Sequence, residues 1–113
     1  MISKDRRDLF PGALEMMILH TLQQRPLHGY AIAQAIQQAS GDLLQIEEGT
    51  LYPALQRILR ENWVHAEWGL SSRNRRVRIY RITASGRRQL DRERAFYERM
   101  NLGIGRVMRL QES

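Results

Sequence analysis

The 113-residue chain contains no cysteine. Disulfides, thiolate-bound zinc and thiol nucleophiles are therefore excluded, and a reducing compartment fits the composition. Lysine is nearly absent too: of eighteen basic residues only Lys4 is lysine, the others all being arginine. The longest apolar run, Met16–Leu19, falls far short of the roughly 18 residues that a membrane-spanning helix needs. The opening Met1-Ile2-Ser3-Lys4-Asp5-Arg6-Arg7-Asp8 lacks the apolar stretch of a signal peptide, so a soluble, cytoplasmic protein is expected. His20, His28 and His65 are the only histidines, and none has the i, i+4 partner or adjacent acid of a metal site. There is no glycine-rich phosphate loop, and the acids of the C-terminal part mostly alternate with arginine. No metal, no cofactor and no enzymatic activity are expected.

What is present suits one globular domain: 42% hydrophobic and 27% charged residues. A chain of this size buries only about two thirds of its unfolded surface, which leaves little room for a large internal cavity and would favour a dimer that shares its core. The formal charge is +6. Carried almost wholly by guanidinium groups, that charge favours phosphate or carboxylate partners, because the guanidinium fork binds oxyanions in two places at once.

Apolar residues Leu9, Ala13, Leu14, Met16, Met17, Leu19 and Leu22 recur at helical spacing and predict a helix from Leu9 to about Gln24. Arg25-Pro26-Leu27-His28-Gly29 ends it with a turn. A second helix of about ten residues follows from Tyr30 and closes at Ser40-Gly41-Asp42. A third starts near Glu47-Glu48, where the helix dipole favours negative charge, and runs to about Asn62 with Leu51, Leu55, Ile58, Leu59 and Asn62 on one face. The period then becomes two. Val64, Ala66 and Trp68 alternate with His65 and Glu67, and Val77 to Thr83 forms a second strand, joined to the first by the basic loop Gly69-Leu70-Ser71-Ser72-Arg73-Asn74-Arg75-Arg76. Thr83 then caps a long Arg/Glu-rich helix that reaches about Leu110.

Helix, helix, helix, strand, basic loop, strand is the order of a winged helix-turn-helix. The expected fold is thus mainly α with a small β-hairpin, residues 1–83 forming the DNA-binding domain and residues 84–113 a C-terminal dimerisation helix within the same compact unit. In this architecture the third helix enters the major groove and the hairpin tip touches the DNA beside it. The polar face of the third helix, Gly49, Pro53, Gln56, Arg57 and Arg60 with Thr50 on its flank, carries no acid after Glu48. Arg57 and Arg60 are expected to reach bases or phosphates, and Arg73, Arg75 and Arg76 to follow the phosphate path. Arg78 and Arg81 lie in the strand, where pairing with Glu61 or Glu67 is an equal prospect. The plain alternative for each of these faces is solvated surface; their combination argues against it.

Four segments taken together carry a resemblance: Pro26-Leu27-His28-Gly29-Tyr30 with Ile32, Glu48-Gly49-Thr50-Leu51-Tyr52-Pro53-Ala54-Leu55, Glu67-Trp68-Gly69, and Tyr80-Arg81-Ile82-Thr83-Ala84-Ser85-Gly86. In order and spacing, over almost the whole chain, they resemble the motifs of the PadR family of transcriptional regulators, in its short form with a single C-terminal helix. The resemblance implies a homodimeric winged-helix protein, usually a repressor, whose last helix pairs subunits. By position it implies that Thr50, Tyr52 and Pro53 begin the recognition helix and that Arg75 and Arg76 belong to the wing. The chain departs from the family pattern at Asn74, where the wing often has glycine, and at Gly103 and Gly105 within the last helix.

The residues also argue for a dimer directly. Leu90, Tyr97 and Ile104 are seven apart, with Met100 and Val107 on the complementary heptad position, so the tail presents a narrow apolar seam, to which Leu9, Phe10 and Leu14 contribute. Packing of the seam on the first helix of the same subunit is the alternative. Each glycine costs the helix about 1 kcal/mol, so fraying is expected beyond Leu102. Two further readings stay open: a sensor of aromatic or drug-like molecules, with Tyr97 and Trp68 lining the effector pocket, and a winged-helix protein-interaction module that docks an acidic partner.

Overall fold

The structure, a computed structural model, describes residues 12–109. Its elements in chain order are α1 (Ala13–Gln24), β1 (Leu27–His28), α2 (Gly29–Ala39), α3 (Glu48–Arg60), β2 (Val64–Leu70), β3 (Arg76–Ile82) and α4 (Ala84–Met108). The expected mainly α winged helix-turn-helix with a C-terminal helix is the fold observed. Leu9 and Phe10, expected in the first helix and at the dimer seam, lie outside the described residues.

Leu14, Ile18, Leu19 and Leu22 of α1, Ile32 and Ile36 of α2, and Leu51, Ala54, Leu55 and Ile58 of α3 form one core, which Val64, Tyr80 and Ile82 cap from the sheet and Leu90 from α4. The apolar i, i+3, i+4 stripes of three helices thus converge, as their spacing predicts. Asn62 is a correction. Expected on the apolar stripe of α3, it is exposed beyond the helix end, with φ 59. Asparagine tolerates this left-handed conformation, and it turns the chain into β2.

The hairpin is joined by a third strand that periodicity did not reveal. β1 pairs antiparallel with β3 through Leu27↔Tyr80 and His28↔Ile79, giving the order β1-β3-β2. The segment expected as a bare turn therefore covers one edge of the sheet, and His28 also caps α2, its Nδ1 accepting from the Ala31 amide at 3.4 Å. Thr83 caps α4, as its position predicts: its Oγ1 accepts from the Gly86 amide at 3.0 Å and donates to the Asn62 carbonyl at 2.7 Å. Helix α4 then continues unbroken through Gly103 and Gly105 to Met108. The expected fraying past Leu102 is not seen.

Candidate nucleic-acid interface

The exposed side of α3 is set by its buried side. With Leu51, Ala54, Leu55 and Ile58 inward, 100° per residue places Gly49, Pro53, Gln56 and Arg60 outward, Tyr52 on one flank and Arg57 on the other. Pro53 lies within the helix, and its missing N–H leaves the Gly49 carbonyl without that helical donor. Tyr52 turns toward α2 and the wing, where its ring packs on Gly29; a Cβ there would stand 2.9 Å from the Tyr52 hydroxyl. Arg57 turns toward α1. Its Nε meets Glu15 Oε2 at 2.5 Å, an ion pair across 42 residues of sequence that no local pattern could reveal.

The wing is ordered by its own serine. Between β2 and β3, Ser71 Oγ accepts from the amides of Arg73 (3.3 Å) and Arg75 (3.2 Å), while Ser71 and Arg75 close the loop through a backbone bond of 2.8 Å. Asn74 supplies the left-handed residue of this loop at φ 62, doing what glycine does in the family pattern. Arg73, Arg75 and Arg76 are all exposed. Of the two strand arginines, Arg81 pairs with Glu67 at 3.5 Å, as one of the prospects had it. Arg78 instead stacks on Trp68, together with Arg76.

An open groove of about 880 Å³ runs between α2, the start of α3 and the wing. Tyr52 and the arginines Arg73, Arg75, Arg76 and Arg78 border it, with Glu48 the one acid among its lining residues. Burial pushes the phenol of Tyr80, one of the groove's lining residues, above its ordinary pKa, with Arg78 pulling the other way. The structure thus brings Tyr52, Arg73, Arg75 and Arg76 together, sets Pro53, Gln56 and Arg60 on the adjoining face, leaves Thr50 half-buried and draws Arg57 aside to Glu15.

Sequence reasoning missed part of this surface. Tyr30 and Gln34 also line the groove, joined by a hydrogen bond of 3.3 Å, and Tyr30 is 64% exposed. Their signal was available: four residues apart, they lie opposite Ile32 and Ile36 on α2.

Trp68 and Tyr97 are not brought together. Trp68 belongs to the wing groove, whereas Tyr97 lines a separate pocket of about 410 Å³ between α1, α2 and α4, with Met16, Met17, Ile36 and Leu44 as its apolar walls. Arg94 and His20 approach at 3.1 Å beside it. Within one chain the two aromatics therefore line different pockets. Of the expected dimer seam, Leu14 and Leu90 are consumed by the subunit's own core. Tyr97, Met100, Ile104 and Val107 remain exposed on α4, and Phe96 joins them. Among the described residues no group of three or more His, Asp or Glu is placed to hold a metal, and no helix is long and apolar enough to cross a membrane.

The model of the Transcriptional regulator PadR-like family matches residues 18–92. A protein of Lysinibacillus sphaericus, described only as "Uncharacterized protein X", is 33% identical over 85 residues, covering 75% of this chain and 78% of that one. Among solved structures, a transcriptional regulator from Clostridium thermocellum superposes with a TM-score of 0.80 at 26% identity, covering 88% of this chain and 97% of its own. A PadR family transcriptional regulator from Eggerthella lenta gives 0.73 at 28% identity, covering 86% and 82%.

Proposed function

The chain belongs to the PadR-like family of transcriptional regulators, and on that premise we propose that it is a homodimeric repressor of a pseudo-palindromic operator. Regulation of transcription through DNA, rather than catalysis, is the activity of this family. In the proposal, the outward face of α3, with Gln56 and Arg60 at its centre, lies in the major groove, and the wing arginines hold the flanking phosphates. One observation carries this reading: Arg73, Arg75, Arg76 and Arg78 line a groove bordered on its other side by α2 and the start of α3. A duplex backbone carries a regular line of phosphates, and that line matches a row of guanidiniums on one hairpin better than a compact acidic side chain does.

The test is selection of bound duplexes from a random pool at about 150 mM salt, followed by titration of the selected sequence against salt. A preferred sequence and a linear loss of log affinity with log salt, about 0.9 per phosphate neutralised, are expected. Failure to enrich any sequence excludes the repressor and favours the protein-interaction module. The pocket lined by Tyr97 and Met17 supports a second reading, in which a small aromatic molecule tunes the same regulator. Under that reading an aromatic compound library contains members that raise the melting temperature and shift operator affinity together. Stabilisation without any change in operator affinity would dismiss it.

A further inference from the structure

The inner face of the hairpin changes character along its length. By strand alternation the pairs Val64↔Ile82, Ala66↔Tyr80, Trp68↔Arg78 and Leu70↔Arg76 all lie on that one face. The first two pairs pack in or against the core. The next two line or flank the groove, where Trp68 is 57% exposed. The Arg76 guanidinium carbon lies 4.5 Å from the Trp68 ring centroid and that of Arg78 lies 5.4 Å from it, both within cation–π range.

Two other arginines of the DNA-binding half are held differently. Arg81, on the outer face of β3, meets Glu67, and Arg57 meets Glu15. Among the described residues neither Arg76 nor Arg78 has an ion pair. The distinction has a chemical consequence. A carboxylate fixes a guanidinium by using its N–H groups and cancelling its charge, so a phosphate must displace it. An aromatic face fixes the same group by its plane and leaves the N–H edges and the charge for an incoming oxyanion.

We propose that Trp68 is a positioning residue of the DNA interface, holding Arg76 and Arg78 over the groove with their charge intact so that they meet backbone phosphates already ordered. This rests on the DNA-binding reading above. Ordering a rotamer-rich side chain before binding removes part of the cost of immobilising it in the complex, and two arginines share one ring. The contact goes to phosphate, so the effect is the same for every DNA sequence.

The experiment compares Trp68→Phe, which keeps a π face, with Trp68→Leu, which keeps an apolar side chain without one, in the intact protein and in an Arg76→Ala/Arg78→Ala background. Trp68→Leu is expected to weaken selected and random duplexes alike by roughly five- to tenfold, Trp68→Phe by less than half of that on a logarithmic scale, and neither to have a further effect in the background that lacks Arg76 and Arg78. A full effect in that background, or Leu binding as well as Trp, overturns the proposal. Proton NMR of the free protein gives a readout independent of DNA: the side-chain protons of Arg76 and Arg78 are expected upfield by ring current and to return to ordinary positions in Trp68→Leu. Unshifted protons in the parent protein overturn the stack itself. Shifted protons in a parent protein that binds no duplex overturn the DNA-binding reading instead, and the assigned role with it.

Discussion

Two glycines with opposite surroundings show how a single Cβ is decided by its neighbours. At Gly86, in the first turn of α4, a Cβ would lie 2.1 Å from the Trp63 carbonyl oxygen, a backbone atom that itself accepts from the Thr83 amide and cannot withdraw without opening the joint between α3, β3 and α4. At Gly49, in the first turn of α3, a Cβ meets nothing within 4 Å. Gly86→Ala is expected to cost about 1–3 kcal/mol and Gly49→Ala to add about 0.5–1 kcal/mol through reduced backbone entropy, both read by urea denaturation. Arg57 poses a different question at this scale, because its charge is engaged by Glu15. Glu15→Gln removes the competitor, so if Arg57 contacts DNA the variant binds duplex more tightly and its salt slope steepens by about one. Arg75→Ala, by contrast, is expected to weaken all sequences alike and to reduce the slope by about one. An unchanged slope in Glu15→Gln assigns Arg57 to the α1–α3 joint rather than to DNA.

At the scale of elements, α4 does two jobs along its length. Its first turns carry Leu90 into the core, while Tyr97, Met100, Ile104 and Val107 leave an apolar face exposed, Val107 at 82%. A helix with such a face is stable in water when another surface covers it, and a second α4 offers the same spacing. Met100→Lys is therefore expected to convert a dimer to monomers in sedimentation at micromolar concentration, and to lower operator affinity by about 10² through loss of linked half-sites. A persistent dimer places the interface elsewhere. The periodic elements were legible in the sequence because α1, α2, α3 and the hairpin each bury one face of a regular repeat. β1 was not, since two residues carry no period and their partner, β3, lies some fifty residues away. The division of labour on α4 escaped for a related reason: the heptad spacing of Leu90, Tyr97 and Ile104 is continuous, and only the position of α1 decides where the core ends. Trp68 was placed on the correct face by alternation, but alternation does not say that the helices stop short of it. The wing arginines were legible as a charged loop, whereas the Arg57–Glu15 pair required the fold to bring α1 and α3 side by side.

At the scale of the molecule, the groove bordered by Tyr52 and the wing arginines shares no residue with the exposed face of α4, so a partner on α4 leaves the groove open to DNA. The described residues extend 52 × 30 × 21 Å. In the proposed dimer the two recognition helices meet successive major-groove faces, which lie roughly 34 Å apart on one side of B-form DNA. In the proposed dimer a two-fold axis relates the two α3 helices, and each half of the operator must then be the inverted copy of the other. The expected footprint is two inverted half-sites with centres about 10 bp, or a multiple of that, apart, with protected phosphates on one face of the duplex flanking each half-site where the wings lie. Inserting 5 bp between the half-sites rotates one by about half a turn and is expected to reduce affinity to that of a single half-site, while inserting 10 bp restores the facing and leaves only the span to be bridged. Hydroxyl-radical footprinting with this insertion series checks both points. A direct repeat, or affinity indifferent to the 5 bp insertion, would exclude a rigid two-fold dimer and leave each protomer reading DNA alone.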